Sequence, residues 1–265
     1  MTLNASQDTA ASAPFAGRIN GVLFDIDDTL VDLHQAMADA MIHASTALLP
    51  DFGAADWSRF AAMYMADPHD YYDRYIAGEF TFHEQRGLRA RVVFDHLGVT
   101  GFDDAAEQQW IADFELAQPR SIRAFDDVVP VLAAMDAAGI PYGAVSNNVH
   151  DYQRAKLDQA GLARIEVLVG IDTVSVAKPD PAIFLEGCRQ LGTAPGETLY
   201  VGDNYMLDGV ASVNAGLHGV WLNRSGKAAP EVFGADAEAA AAVPVIASLA
   251  EILVLMRILS PSKVV

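Results

Sequence analysis

Hydrophobic residues in this chain fall into short continuous runs separated by longer segments with helical spacing. A short run bounded by polar residues is typical of a strand buried in a parallel sheet, and apolar residues three or four positions apart are typical of a helix. The strands that these runs predict lie at residues 22–24, 140–146, 165–169, 198–202 and 219–222. From about residue 125 strands and helices alternate, which predicts an α/β domain with a parallel sheet.

A different pattern separates the first two runs. Residues 34–119 have helical spacing throughout and are rich in aromatic side chains. Thr81, with Glu three positions later, is a capping-box signature that would open one helix, and Pro119 is expected to end another. We therefore expect a core domain built from 18–33 and 120–265, with a helical insertion at 34–119.

The ends of the chain carry weaker patterns. Residues 1–17 lack a basic start and a continuous apolar segment, so we expect a flexible tail and no secretory signal. Residues 246–259 are apolar but too short to span a bilayer and contain Glu251 and Arg257, so we expect an amphipathic terminal helix packed on the core. A further short helix is expected at 209–215.

Composition and charge narrow the classes of function. Hydrophobic residues make up 52% of the chain, which is ample for a core, and the net charge of -18 would repel nucleic acids and anionic membranes. The single cysteine, Cys188, cannot form an intrachain disulfide, which favours the cytoplasm as the location. We expect no nucleic-acid or membrane partner, and the sequence leaves open a monomer or a homodimer.

Two carboxylates follow the first strand directly. Asp25 and Asp27 are two positions apart, so on an extended backbone both side chains point to the same side. Reactive groups collect at the carboxyl ends of strands in open parallel sheets, and two carboxylates there would repel each other and raise their own pKa values. A bound cation would remove this repulsion.

Three further strand ends carry polar side chains of the kinds that phosphoryl transfer uses. Ser146 ends the second predicted strand and Asn147 follows it, and a turn stiffened by prolines after the third strand presents Lys178, one of only four lysines. Asp203 and Asp208 follow the fourth strand. Hydroxyl, ammonium and backbone N–H groups bind phosphate oxygens, whereas carboxylates bind hard cations.

These four clusters resemble motifs one to four of the haloacid dehalogenase-like (HAD) hydrolase superfamily, and they follow one another in the family's order. The first is Asp25-Ile26-Asp27-Asp28-Thr29. The resemblance covers the core and implies a Rossmann-like α/β fold. The all-helical insertion resembles the C1-type cap, which in that group closes over the site and selects the substrate.

The resemblance implies a chemical role for each motif residue. Asp25 would be the nucleophile that forms an aspartyl-phosphate. Asp27 would protonate the leaving oxygen and then activate the water that hydrolyses the intermediate. Ser146 and Lys178 would hold the phosphoryl oxygens as charge moves.

A magnesium site is implied in the same way. The Asp25 side chain, the Asp27 backbone carbonyl and Asp203 would hold Mg²⁺, with waters completing the octahedron. Asp208 would orient the motif-three lysine or a metal-bound water.

Several residues near the motifs admit two interpretations. Asp28 and Thr29 either cap the following helix or act directly, and Asn147 fits a turn as well as a substrate contact. Three arginines of the insertion are candidates to reach the substrate, although surface salt bridging is the commoner role for any one of them. They are Arg74, Arg86 and Arg89.

The resemblance predicts a Mg²⁺-dependent phosphatase that hydrolyses a small phosphomonoester such as a sugar phosphate or a nucleotide. A phosphomutase of the same superfamily is one alternative, although Thr29 is more typical of phosphatases. A metal-independent haloacid dehalogenase is another, but it needs neither Asp27 nor Asp203 and Asp208. A non-catalytic phosphate-binding module is a third alternative, and it would gain nothing from crowding four carboxylates together.

Overall fold

The computed structural model describes residues 18–258. The tail expected at 1–17 and the end of the predicted terminal helix lie outside the described residues. The chain divides into two compact units, and the predicted insertion at 34–119 falls within the second. In described residues the first unit comprises 18–31, 124–158 and 162–258, and the second comprises 32–123 and 159–161.

A parallel sheet forms the centre of the first unit, as the alternating pattern predicted, and it has six strands where the sequence indicated five. The strands are β1 (Gly21–Phe24), β2 (Tyr142–Val145), β3 (Val167–Val169), β4 (Thr198–Gly202), β5 (His218–Leu222) and β6 (Val245–Ile246). Their order is β3-β2-β1-β4-β5-β6. The first strand therefore lies inside the sheet, between β2 and β4, and its residues are fully buried.

Helices surround this sheet and build the second unit. In chain order they are α1 (Leu33–Ser45), α2 (Ala54–Ala66), α3 (Tyr71–Ile76), α4 (Phe82–His96), α5 (Asp104–Ser121), α6 (Val128–Ala138), α7 (His150–Gln159), α8 (Ile171–Val174), α9 (Pro181–Leu191), α10 (Ala211–Asn214), α11 (Ala237–Ala241) and α12 (Ala250–Leu255). The second unit contains α1 to α5. Among residues 18–258, no helix has both the length and the apolar composition that crossing a bilayer requires.

Helix α9 illustrates how local sequence fixes a core helix. The Asp180 side chain accepts from the N–H of Ala182 at 2.9 Å, and Pro181 fits the first turn because it has no N–H to satisfy. The helix stops at Gly192, whose φ of 77° suits glycine. On the buried face Gly187 approaches the sheet so closely that a Cβ atom there would lie 2.8 Å from the Leu23 side chain.

Two predictions for the end of the core are wrong in detail. Residues 205–210 form a π-helical turn before α10, so the predicted helix at 209–215 begins earlier and with wider geometry. Residue 246 belongs to β6, which pairs with β5, and up to residue 258 the predicted terminal helix is represented by α12 alone. A short apolar run does not by itself distinguish a strand from a helix, and this ambiguity caused the second error.

The second unit is helical, and its aromatic residues form its core. None of the described residues from 32 to 123 lies in a β-strand. The Trp110 indole N–H donates to the Ser45 hydroxyl at 2.8 Å, which satisfies the polar atom of a buried ring. The largest buried rings of this core are Phe60, Tyr64, Phe94, Trp110 and Phe114.

The two helix-end predictions for this unit have opposite outcomes. The capping box at Thr81 and Glu84 is confirmed, because each side chain accepts from the other residue's N–H. The expectation that Pro119 ends a helix is wrong, because α5 continues to Ser121. Pro119 cannot donate the hydrogen bond that its position in the helix would require, and the helix ends two residues beyond it.

Candidate active site

Three carboxylates meet where β1 and β4 end. The two strands pair with Phe24 opposite Val201, and the N–H of Asp25 donates to the Val201 carbonyl at 2.9 Å. Asp25 and Asp203 therefore leave neighbouring strands at the same edge of the sheet. One carboxylate oxygen each from Asp25, Asp203 and Asp208 lie within 4.8 Å of one another.

Lys178 is buried among these carboxylates. Its Nζ donates to Asp25 Oδ1 and to Asp208 Oδ1, each at 2.7 Å. Burial alone would lower the pKa of Lys178, but the negative charges of Asp208 and Asp25 outweigh it and hold that pKa well above its ordinary value. The lysine therefore stays charged, and it lies in direct contact with the predicted nucleophile.

One lysine does not neutralise the negative charge of this cluster. Loss of water on burial is the main cause that raises the pKa of Asp25 to about 7. Repulsion from Asp208 and Asp27 raises this pKa further, and the attraction of Lys178 offsets only part of the rise. Burial, followed by the repulsion from Asp25 and Asp208, raises the pKa of Asp203 to about 8. When its carboxyl groups are ionised, this cluster therefore has more negative than positive charge.

The approach of Asp208 to the strand end depends on a glycine and on a local turn. A Cβ atom on Gly202 would lie 2.3 Å from the carboxyl carbon of Asp208, so only glycine fits at that position. The Asn204 N–H donates to Asp208 Oδ2 at 2.9 Å. Asn204 also caps the π-helical turn, which is a geometry that occurs often at functional sites.

Tyr200 is a member of this cluster that the sequence reasoning missed. Its hydroxyl donates to the Val145 carbonyl at 3.1 Å and accepts from Lys178 Nζ at 3.1 Å. Burial, reinforced by Asp208 and Asp25 against the opposing charge of Lys178, raises the pKa of Tyr200 well above its ordinary value, so the hydroxyl keeps its proton. A tyrosine within a buried strand must find a polar partner, and that requirement was the available signal.

The residues after β2 hold the motif-three lysine through its backbone. Asn147 Nδ2 donates to the Lys178 carbonyl at 3.0 Å, and Asn147 Oδ1 accepts from the Lys178 N–H at 2.6 Å. Both polar ends of this amide therefore bind the backbone of a distant segment, and contact of Asn147 with a substrate stays a prediction. Ser146 is 3% exposed and its hydroxyl oxygen accepts from the Gln153 amide at 2.6 Å.

Asp27 is held by two side chains of α7. Its Oδ1 is paired with Lys156 Nζ, and its Oδ2 accepts from Gln153 Nε2 at 2.9 Å. Neither Lys156 nor Gln153 was identified from the sequence. They are three positions apart and therefore lie on one face of the helix, which is the only signal the sequence offers.

The residues after Asp27 do not cap α1. The capping side chain is Asp32, which accepts from the Gln35 N–H at 3.0 Å. Thr29 is fully buried and its hydroxyl donates to Asp25 Oδ2 at 3.1 Å, and Asp28 adopts a left-handed φ of 59°. Thr29 thus contacts the predicted nucleophile directly.

Arg224 fixes the backbone of this loop. Its guanidinium donates to the Thr29 carbonyl at 3.1 Å and forms two hydrogen bonds with Asp127, at 2.8 and 2.9 Å. Asp127 also accepts from the Ser248 hydroxyl and from the Leu249 N–H. Hydrogen bonds therefore link the loop that contains the first motif to the segments that follow β5 and β6.

The three candidate arginines of the insertion have partners within the second unit. Arg74 pairs with Glu79 at 2.9 Å. Arg86 is buried, pairs with Glu115 at 2.9 Å and lies 4.4 Å over the Phe114 ring. Arg89 is also buried and donates to the Tyr64 carbonyl at 3.0 Å. These contacts lie inside the second unit, and contact of any of the three with a substrate stays a prediction.

The donor set at the sheet edge fits a hard divalent cation. Carboxylate oxygens are the ligands that Mg²⁺ prefers, and Asp25, Asp203 and Asp208 each offer one within a small radius. Burial is the largest cause of the raised pKa values of Asp25 and Asp203, and repulsion from neighbouring carboxylates adds to it. A divalent cation would supply the charge that Lys178 does not.

The chain belongs to the haloacid dehalogenase-like hydrolases. The family model matches residues 19–216, which contain all four motifs. This confirms the membership that the motifs implied, and with it the assignment of the chain as a hydrolase. The six-stranded parallel sheet with surrounding helices likewise confirms the predicted fold class.

Proteins named as a phosphatase and as a dehalogenase are both similar to this chain. Hexitol phosphatase A of Escherichia coli (strain K12) is 30% identical over 208 residues, covering 78% of this chain and 84% of the relative. An (S)-2-haloacid dehalogenase of Pseudomonas putida is 25% identical over 217 residues, covering 81% of this chain and 88% of the relative.

A solved structure has the same fold. The HAD family hydrolase of Deinococcus radiodurans R1, crystallised with bound phosphate and sodium, superimposes with a TM-score of 0.65 at 24% identity. The match covers 94% of this chain and all of that one.

Proposed function

We propose that this protein is a Mg²⁺-dependent phosphatase that hydrolyses a small phosphomonoester through an aspartyl-phosphate. The observation that carries the proposal is the contact of Lys178 with both Asp25 and Asp208, beside Asp203. A carboxylate nucleophile, a buried cation beside it and further carboxylates to hold a metal are the parts that phosphoryl transfer needs. Hexitol phosphatase A, a phosphatase at 30% identity, supports the same reaction class.

In the first step Asp25 attacks phosphorus. The Thr29 hydroxyl and Lys178 each hold one oxygen of its carboxylate, which fixes the direction of attack. The P–O ester bond breaks, and Asp27 gives a proton to the ester oxygen so that the product leaves as a neutral alcohol. Lys178 and the Ser146 hydroxyl stabilise the phosphoryl oxygens during the transfer.

In the second step water hydrolyses the aspartyl-phosphate. Asp27, now a carboxylate, takes a proton from the water as the water attacks phosphorus. The acyl-phosphate bond breaks, phosphate leaves and Asp25 is regenerated. Asp208 and Tyr200 keep Lys178 in place through both steps.

We expect Mg²⁺ to be held by the Asp25 side chain, the Asp27 backbone carbonyl and Asp203, with Asp208 beside them. When bound, the cation neutralises phosphoryl charge and keeps Asp25 ionised.

The substrate that we propose is a small phosphorylated metabolite. The net charge of -18 disfavours nucleic acids and anionic membranes as partners, and the cytoplasm is the expected location. Two further statements stay predictions. One is that the helical unit acts as a cap that selects the substrate, and the other is that the chain is a monomer or a homodimer.

A screen of phosphorylated metabolites with purified protein and Mg²⁺ tests this function. We expect release of inorganic phosphate from at least one sugar phosphate, polyol phosphate or nucleotide, and from p-nitrophenyl phosphate. Asp25→Asn measured in parallel excludes a contaminating phosphatase.

Other outcomes of the screen would favour the alternatives. Isomerisation of a sugar phosphate with little phosphate release would identify a phosphomutase. Halide release from a 2-haloacid without metal would identify a dehalogenase. If phosphate bound and no compound turned over, a non-catalytic binding module would replace the phosphatase.

A further inference from the structure

A lysine of α7, Lys156, is buried and forms an ion pair with Asp27, and the steps described above give this lysine no role. The Lys156 side chain is 4% exposed and its Nζ is paired with Asp27, a residue distant in sequence. Its ammonium group also lies 5.0 Å from the centre of the Tyr152 ring. A lysine is rarely buried without a paired charge, because removing the ammonium group from water costs free energy that a partner must compensate.

Gln153 joins the same carboxylate to the serine of the second motif. It is fully buried, and its Nε2 donates to Asp27 Oδ2 at 2.9 Å and to the Ser146 oxygen at 2.6 Å. A carboxylate can only accept, so the amide nitrogen must face Asp27. Since the serine oxygen already accepts a hydrogen bond, its own proton is left free to donate.

Each oxygen of Asp27 thus accepts one donor from α7. A carboxylate oxygen has two lone pairs, so one lone pair on each oxygen stays available for the proton that moves to or from the substrate. Two donors from one rigid helix restrict rotation of the side chain about its Cα–Cβ and Cβ–Cγ bonds. Precise placement of a proton donor relative to the leaving oxygen determines how much it contributes to the rate.

We propose that Lys156 and Gln153 are positioning residues that hold the Asp27 carboxyl group for proton transfer to the leaving oxygen. The inference rests on the proposed phosphatase function. In the step concerned, Asp25 forms a bond to phosphorus, the P–O ester bond breaks, and the proton passes from Asp27 to the ester oxygen. Lys156 and Gln153 then bind the carboxylate that remains.

A series of substituted phenyl phosphates tests this role. These substrates share one shape, and their leaving groups differ in how much they need a proton. We expect Lys156→Met to reduce kcat/KM on phenyl phosphate at least about tenfold more than on p-nitrophenyl phosphate, because general acid catalysis contributes most to the poorer leaving group. Asp27→Asn should steepen the dependence in the same direction.

The control variant is Lys227→Met, which removes the same charge from an exposed position. It should keep the wild-type dependence on the leaving group. Lys156→Arg should recover part of the selectivity because it restores a donor and a positive charge. Thermal melting of each variant identifies any that fail to fold, and Gln153→Leu gives a second, independent test.

Two results would overturn the inference. Equal losses on all the phenyl phosphates would mean that Lys156 supports folding alone, and no loss would mean that it has no part in the reaction. In either case, if Asp25→Asn remained inactive and Asp27→Asn steepened the dependence, the phosphatase mechanism would still hold. Full activity of Asp25→Asn would instead overturn the proposed function itself.

Discussion

Asp25→Asn is expected to lower kcat for any phosphomonoester substrate at least about a thousandfold, which corresponds to about 4 kcal/mol of lost transition-state stabilisation. An amide cannot replace a carboxylate as the nucleophile, so no aspartyl-phosphate can form. The variant should still fold, because Lys178 keeps its 2.7 Å hydrogen bond to Asp208 and the substitution removes one buried negative charge. Steady-state assays and thermal melting measure the two effects.

Asp51→Asn is the matched control, because it makes the same substitution at an exposed position. It should leave kcat and the melting temperature close to wild type. If Asp25→Asn retained a substantial part of the activity while remaining folded, another group would have to be the nucleophile.

Removal of Mg²⁺ by EDTA is the second change with a large expected effect. Turnover should fall to background and return when Mg²⁺ is added in excess. Stabilisation by Mg²⁺ should also grow with pH, because the cation competes with protons for Asp25 and Asp203, whose pKa values are raised to about 7 and about 8. Below those pKa values, each proton that Mg²⁺ must displace should weaken the apparent affinity for Mg²⁺ by about tenfold for each unit by which the pH falls.

Without metal, the pH dependence of these two groups should have the opposite sign. A carboxyl group whose pKa is raised by folding is favoured in its protonated form, so its contribution to stability is lost as pH rises from about 4 through about 8. Thermal melting from about pH 5 to about pH 9, with and without Mg²⁺, measures both trends. A shift in melting temperature on adding Mg²⁺ that was independent of pH, or equal in Asp203→Asn, would contradict this metal site.

Sequence reasoning could bring the motif residues to one edge of the sheet because most of them follow a strand. Asp25, Ser146 and Asp203 stand directly after apolar runs, and parallel strands align their carboxyl ends whatever the details of packing. The aromatic insertion could also be separated from the core, because its composition and periodicity change at once. The local sequence pattern was therefore enough to predict the positions of candidate functional residues that lie at the ends of strands.

The residues that support the motifs were beyond the reach of local pattern. Lys156 meets Asp27 only because α7 packs against the loop after β1, and that rotational setting depends on the whole core. Tyr200 lies among apolar residues of a strand, and its hydroxyl needs a polar partner. The sequence does not indicate that this partner is Lys178, which lies in a distant turn. Arg224 is similar in this respect, since its partners Asp127 and Thr29 come from two remote segments.

Transfer of phosphate to Asp25 is the central claim, and one turnover in heavy-oxygen water tests it most directly. The protein, in excess over p-nitrophenyl phosphate and with Mg²⁺, is analysed by mass spectrometry after the reaction. Because water attacks phosphorus in the second step, the heavy oxygen should appear in inorganic phosphate, while the peptide that contains Asp25 stays unlabelled. An acid quench during turnover should show phosphate on that peptide. Heavy oxygen in the Asp25 carboxyl group, or turnover with no phosphate on the peptide at any time, would contradict the mechanism.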